Sequence, residues 1–375
     1  MLETTNHTVD SLFTYFKNIF SKSKHVKPID ELLGIERSEA ILHKLVAEKK
    51  VSGIAVSIIK HGETIFQKGF GYADIENKVF VSPTRTIFRI ASISKCITGL
   101  AFGKMVEEGI LDFDDSFYKH VPYYPKKKYD FTLRQLASHT AGIRAYRGKE
   151  FGLNKPYDIK ESLEVFQDDP LVFEPGKSYL YNSFDFVLLS LAMQEASGIP
   201  FEEYVKEKVL DPLGMKNSFP PSCHPELVKA SNKRLVKGLR QAQPDTTYYT
   251  KTPIGFKKAL EVNNFYKLAG GGYLSTCEDI AKLGGEILRQ KLLNTETYKE
   301  LLTAQLVDGN SIYYGLGFQV SEDKYGRSFM GHVGSSVGAY SNLFVYPKEE
   351  LVVSILMNCT DTKVQDVLDD LISKY

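Results

Sequence analysis

Long apolar runs are missing. The longest, Phe186–Met193 and Leu351–Met357, fall far short of the roughly 20 residues that a membrane-spanning helix needs, so no transmembrane segment is expected. An excess of charge of one sign is missing too: 47 Lys and Arg stand against 46 Asp and Glu, a formal net charge of +1. The basic runs, Lys22 with Lys24 and Lys126 to Lys128, are too short and scattered to form the basic face that polyanion binding requires. They read as solvated surface, and no nucleic-acid partner is expected. Cysteine is scarce, with Cys96, Cys223, Cys277 and Cys359 spread over the chain and no Cys-x-x-Cys pair, which suits free thiols rather than a disulfide scaffold or zinc site. No His-Glu-x-x-His or paired His/Cys set is present, so neither a metal site nor a cofactor is expected. The first residues lack a basic stretch followed by an apolar one. Either the chain stays inside the cell or a targeting segment has been removed, with the cytoplasm as the default compartment.

What is present is a chain of 375 residues, 43% hydrophobic and 25% charged, long enough for two domains or one elaborated α/β domain. Residues 1–34 form an extension whose patch of Leu12, Phe13, Phe16, Ile19 and Phe20 is amphipathic. Packing on its own domain is the favoured reading of this patch, with a membrane or partner surface as the alternative. Ile35–Lys49 reads as a helix. Ile54–Ile59 and Thr64–Phe70 read as strands of a hairpin turned at Lys60-His61-Gly62-Glu63. Ser92–Glu108 has helical apolar spacing and stops at Gly109, which places Ser92 at a helix N-terminus. Residues 111–260 read as a mostly helical insertion, with helix signals at Leu133–His139, Phe186–Ala196 and Phe201–Val209. Strands are expected at Gly315–Val320, Ala339–Tyr346 and Leu351–Met357, and a closing helix at Thr362–Ser373. Strands at both ends with helices between them predict one sheet built from residues 35–110 and 261–375. Gly270–Gly272 lacks the surroundings of a phosphate loop and reads as a tight turn near the sheet.

Serine three before lysine occurs five times, at Ser21, Ser57, Ser92, Ser116 and Ser321. Residues three apart share a face on a helix and point to opposite faces of a strand. Ser57 and Lys60 therefore cannot cooperate. Ser21, Ser116 and Ser321 read as exposed turns. Only Ser92 and Lys95 share an apolar helix, where the helix start favours negative charge forming at Ser92 and a desolvated Lys95 can accept its proton. Spacing by itself favours a plainer reading, a capping serine with a surface lysine one turn on. A rival lies at Gly334-Ser335-Ser336-Val337-Gly338, which fits Gly-x-Ser-x-Gly, but that elbow needs a helix after the serine and here a strand-like run follows. Ser336 reads as a turn residue.

Several segments occur in a telling order. They are Gly69–Asp74, Phe88–Lys95, Thr132–Gly142, Glu174–Gly176, Tyr181-Asn182-Ser183, Pro212–Met215, Gly270–Thr276 and Gly331–Gly334. Together they resemble serine β-lactamases of class C type and the related penicillin-binding D,D-peptidases and esterases, across about residues 35 to 375. Phe166–Leu171 and Asn264–Ala269 add to the likeness with one branch of that family. The resemblance implies an α/β fold of the α+β kind, an antiparallel sheet with flanking helices plus an inserted all-helical region. It also implies Ser92 as acylated nucleophile, Lys95 as its base and Tyr181 as the phenol that passes a proton to the leaving group. The backbone N–H groups of Ser92 and Ser335 would form the oxyanion hole, and Ser183, His332 and Gly334 would line the substrate site.

Two residues depart from the family pattern. Ser183 stands where a Tyr-x-Asn motif has its amide, and His332 stands where many members carry the lysine of Lys-Thr-Gly. A hydroxyl grips an acyl-side amide less well, and a neutral imidazole holds a substrate carboxylate less strongly. Peptide, amide or ester hydrolysis is therefore expected ahead of β-lactam hydrolysis. A non-enzymatic binding or self-assembling protein on the same fold is the competing expectation, and oligomer formation is left open.

Overall fold

In the computed structural model, which describes residues 28–221, 246–360, 363–373 and 375, the two ends of the chain meet in one sheet. Helix α1 (Gly34–Ala47) leads into β1 (Gly53–Lys60) and β2 (Glu63–Asp74). Their connection places His61 and Gly62 at φ 51° and 82°, the positive values that match a two-residue hairpin turn to the twist of its strands. After β3 (Val79–Phe80) and β4 (Phe88–Arg89), a 3-10 turn at Ala91–Ile93 runs directly into α2 (Ser94–Glu107). The middle of the chain holds α3 (Phe117–His120), α4 (Leu133–Ala137), α5 (Phe184–Ser197), α6 (Phe201–Val205) and a hairpin of β5 (Tyr249–Thr252) and β6 (Gly255–Lys258). Strand β7 (Leu274–Ser275) pairs with β4, followed by α7 (Cys277–Arg289), α8 (Thr295–Leu302) and a small hairpin of β8 (Leu306–Val307) and β9 (Asn310–Ser311). Last come β10 (Gln319–Glu322), β11 (Ser328–Ser336), β12 (Ala339–Tyr346), β13 (Leu351–Met357) and α9 (Gln365–Ile372).

The sheet order is β10-β11-β12-β13-β1-β2-β3, with β1 and β13 antiparallel from Ile54↔Met357 to Lys60↔Leu351. Alternation along the strands sends Leu343, Val345, Val352 and Leu356 to one face and Phe344, Tyr346, Val353 and Ile355 to the other. The first face is covered by α7. A side chain at Gly284 would collide with Val352, so glycine lets α7 lie directly on the sheet. The second face is covered by α1 and α9 through Leu42, Leu45, Leu368 and Leu371. Helix α2 runs between the sheet side and the helical middle, and only Lys104, Val106 and Glu107 of it escape full burial. A helix that is apolar on every side belongs at the centre of a core.

The observed fold is the expected mixture of an antiparallel sheet, flanking helices and an inserted helical region, with local differences. Gly315–Phe318 is not strand: Gly317 has φ 94° and donates its N–H to Ala137 at 3.0 Å, so β10 begins only at Gln319. The β5–β6 hairpin falls inside the segment read as helical and joins the end of the sheet, where Tyr249 N donates to Asn358 O at 2.8 Å. Ser321 lies in β10 rather than in a turn. Ser21, Cys223 and the amphipathic patch of residues 12–20 lie outside the described residues. Cys96 and Cys277 are buried free thiols, and Cys359 is buried as well. Among the described residues no helix is long and apolar enough to cross a membrane.

Candidate active site

Ser92 sits in the turn that leads into α2, and the backbone there is strained. Ala91, just before it, has φ 47° and is buried, a conformation that costs an L-residue energy and persists only when its surroundings impose it. The restraints are visible. Ile90 donates its N–H to Tyr273 O at 3.2 Å, its carbonyl accepts from Ser341 Oγ at 2.8 Å, and Ser94 Oγ donates to Ala91 O at 2.7 Å. On the β11 side, a Cβ at Gly334 would lie 2.7 Å from Ile90 O. Glycine is therefore what lets the end of β11 press against the turn.

Lys95, the second residue of α2 and three after Ser92, is completely buried. Its Nζ donates to Gly270 O at 2.6 Å and lies 3.4 Å from Ser92 Oγ. It rests over the rings of Tyr181 and Phe186, 4.7 and 5.2 Å from their centroids. Burial pulls its pKa down from 10.5 to about 7, with Asp185 and Cys96 opposing and Lys267 reinforcing the shift. A neutral amine near pH 7 can accept a proton from Ser92. On the other side of Ser92, the Tyr181 hydroxyl donates to Oγ at 2.7 Å, and burial pushes that phenol up while the hydrogen bond to Ser92 opposes. Ser92 Oγ thus accepts from Tyr181 and faces the Lys95 amine.

The remaining expected residues fall around this centre unequally. His332, on β11, is buried, and its Nε2 meets Tyr314 Oη at 3.0 Å while Nδ1 lies 2.6 Å from Val333 O. Burial, then the nearby Lys95 charge, lowers its pKa to about 3, so the imidazole is neutral, donating from Nδ1 and accepting at Nε2. Ser335 is exposed at the end of β11, opposite Tyr340. Ser183 precedes α5 without capping it and lies near the partly buried Tyr146, whose phenol desolvation pushes up to about 12 while Ser183 opposes. Asn182 is occupied structurally: its Nδ2 donates to Ile143 O at 3.1 Å and Asp185 Oδ2 at 2.6 Å, and its Oδ1 accepts from Asp185 N at 2.8 Å. Ser336 pairs with Ala339 across a hairpin, so a strand follows it and the hydrolase elbow is absent.

The other serine–lysine spacings come apart as geometry requires. Ser57 accepts from Gln67 at 3.3 Å, whereas Lys60 reaches the Tyr375 carbonyl. Ser116 caps α3 through Tyr118 N at 3.2 Å while Lys119 pairs with Asp115 at 2.6 Å. Lys324 pairs with Asp370 at 2.7 Å.

Sequence reasoning missed several groups at the centre. His139 and Asp185 form a pair with no exposed surface, Nδ1 to Oδ2 2.9 Å, and the His139 ring lies 4.6 Å from Tyr181 and 4.8 Å from Tyr314. Lys267 is also buried. It donates to Phe151 O at 3.1 Å and lies over the rings of Tyr146, Phe151 and Tyr266, with burial and then Arg89 lowering its pKa to about 8. A lone acidic residue in the first turn of the apolar run Phe184–Met193 was the one available signal for Asp185.

The fold is that of the serine hydrolases related to β-lactamases and penicillin-binding proteins. Residues 39–374 match the Beta-lactamase family, and the chain belongs to it. Human mitochondrial serine beta-lactamase-like protein LACTB is 28% identical over 84% of this chain and 72% of its own length. The octameric penicillin-binding protein homologue from Pyrococcus abyssi superposes with a TM-score of 0.72 at 26% identity, over 88% of this chain and 74% of that one. The D-amino acid amidase from Ochrobactrum anthropi SV3 shares the fold, with a TM-score of 0.74 at 20% identity over 90% of this chain and 97% of its own. Family and fold together support acyl-enzyme chemistry on a carbonyl substrate.

Proposed function

We propose that the chain is a serine hydrolase that acylates Ser92 with a peptide, amide or ester substrate and then hydrolyses the acyl-enzyme. The observation that carries this reading is the buried, near-neutral Lys95 facing a Ser92 hydroxyl that already accepts from Tyr181 at 2.7 Å. Lys95 takes the Ser92 proton as Oγ bonds to the substrate carbonyl, and Tyr181 passes a proton to the leaving group as that bond breaks. The N–H groups of Ser92 and Ser335 receive the oxyanion, and water then releases the acyl group. His332 is neutral and occupied by Tyr314, and Ser183 offers a short hydroxyl where an amide would reach further. Both features favour acyclic amides and esters over class C-type β-lactam hydrolysis.

Intact-mass analysis after a fluorophosphonate probe, with peptide mapping, tests this reading. The expected result is one adduct on Ser92, lost in Ser92→Ala without loss of the folded circular-dichroism spectrum. No adduct on folded protein moves the weight to a binding or self-assembling role, and an adduct on Ser336 identifies a different nucleophile. The octameric homologue makes association of this chain worth measuring by light scattering in the same samples.

A further inference from the structure

Lys95 becomes a cation at the moment it takes the Ser92 proton, in a place from which water is excluded. Its own contacts, Ser92 Oγ, Gly270 O and the faces of Tyr181 and Phe186, carry no formal negative charge. A buried cation needs a counter-charge or its formation is costly. The buried pair of His139 and Asp185 packs against the same two rings through His139. The His139 ring sits 4.6 Å from Tyr181 and 5.3 Å from Phe186.

The hydrogen bonds around Asp185 are arranged for an acceptor. Oδ2 receives Asn182 Nδ2 at 2.6 Å and faces His139 Nδ1 at 2.9 Å. Among the described residues, Oδ1 and His139 Nε2 have no hydrogen-bond partner. A proton on Oδ1 would be a buried donor without an acceptor, and a proton on Oδ2 would force the His139 hydrogen onto Nε2, where it also lacks an acceptor. Only an Nδ1–H imidazole donating to a carboxylate leaves no donor stranded.

We propose that Asp185, oriented by His139 and Asn182, is a positioning residue whose carboxylate is the counter-charge for Lys95 when Lys95 accepts the Ser92 proton. The inference rests on the acyl-enzyme reading above and adds a residue to it. The proton moves from Ser92 Oγ to Lys95 Nζ, the oxygen's electron pair bonds to the carbonyl carbon, and Asp185 changes no bond. Burial pushes the Asp185 carboxyl well up, and the Asn182 amide and the Lys95 charge pull it back, so its ionisation is tied to a cation beside it.

The other groups around the pair do not supply the same charge. On α2, burial pushes the Cys96 thiol up. On β11, His332 is neutral. Burial also raises the phenols of Tyr179, Tyr181, Tyr314 and Tyr124. Lys267 is of the wrong sign and works against Lys95 protonation.

The test is the pH dependence of the second-order rate at which a fluorophosphonate labels Ser92, in wild type, Asp185→Asn and His139→Gln, each checked for folding by thermal melting. In Asp185→Asn the midpoint of the acid limb is expected to fall by roughly one pH unit and the plateau by about tenfold, because Lys95 loses the charge that raises its basicity. His139→Gln, which leaves the carboxyl but removes its imidazole donor, is expected to move the midpoint the same way by less. A lower plateau with an unmoved midpoint in folded Asp185→Asn overturns the inference and leaves a packing role. If Asp185→Asn does not fold, an unmoved midpoint in His139→Gln overturns it instead. Wild type that is not labelled at Ser92 defeats the acyl-enzyme reading itself, which separates the two failures.

Discussion

The central sheet is packed on both faces, and the two faces bury different things. Against α1 and α9 it buries Ile54, Val56, Val353, Ile355 and Met357 with Leu42, Leu368 and Leu371, an apolar layer of ordinary composition. On the side of α2 it closes over Lys95, His139, Asp185, Lys267 and His332, each under 5% exposed. Desolvating ionisable groups costs stability unless they are paired, and here several are incompletely paired, with Asp185 Oδ1 and His139 Nε2 unsatisfied among the described residues. The apolar face supplies stability, and the polar one spends part of it on holding groups at unusual protonation states.

The strongest way to break this contrast is Lys95→Met. Loss of the base is expected to lower Ser92 labelling and turnover by roughly 10²–10⁴-fold. The same change is expected to stabilise the fold. Lys95 has its pKa lowered from 10.5 to about 7 on folding, so the unfolded chain binds the extra proton between those values and wild-type stability rises as pH rises through that window. Removing the lysine removes that rise and adds roughly 2–4 kcal/mol at pH 7. Urea melts at pH 7 and pH 10 measure it, and a variant that is less stable at pH 7 contradicts the assignment of a desolvation cost to this face.

Tyr181→Phe comes next. It removes the donor 2.7 Å from Ser92 Oγ while keeping the ring that covers Lys95, so a loss of roughly 10²-fold in kcat is expected. The loss should be larger for amides, whose leaving group needs a proton, than for activated esters. Equal losses on both substrates would remove the proton-relay role. On the opposite face, Ile355→Ala is expected to cost roughly 2–5 kcal/mol of stability. Its labelling rate at 25 °C should stay within about twofold of wild type, because none of Ser92, Lys95 and Tyr181 belongs to that layer. A rate change that survives at temperatures where the protein is folded would show that the two faces are coupled.

Legibility in the sequence divides along the same line. Strands β1, β2, β12 and β13 were readable because aliphatic and β-branched runs describe buried strands directly. Strand β11 was not, because Gly331, His332, Gly334 and Ser335 break the aliphatic pattern of a strand, Gly334 for the sake of close approach to the Ser92 turn. Helix α7 passed unread, since Gly284 and Gly285 interrupt its apolar pattern for the sake of contact with Val352. Ser92 and Lys95 could be singled out because their relation is local, three residues on one helix. Tyr181 entered through family resemblance, and the pairing of His139 with Asp185, 46 residues apart, could not be read from spacing at all. Strained positions such as Ala91 at φ 47° carry no sequence signature, because the surroundings impose them.

The smallest expected effect tests where the polar face ends and substrate begins. His332 is neutral, pushed down to about 3 by burial and then by the charge of Lys95, and its ring nitrogens are held by Tyr314 and the Val333 carbonyl. His332→Lys places a cation at the position where the family resemblance implies the lysine of Lys-Thr-Gly. If residue 332 meets a substrate carboxylate, the acylation rate with a labelled penicillin should rise by about three- to tenfold relative to a neutral ester of similar reactivity. The new charge also faces Lys95 and lowers its basicity, so both absolute rates should fall at high pH while their ratio rises. An unchanged ratio would place His332 with the buried supports of the site, alongside His139, and leave substrate selection to other residues.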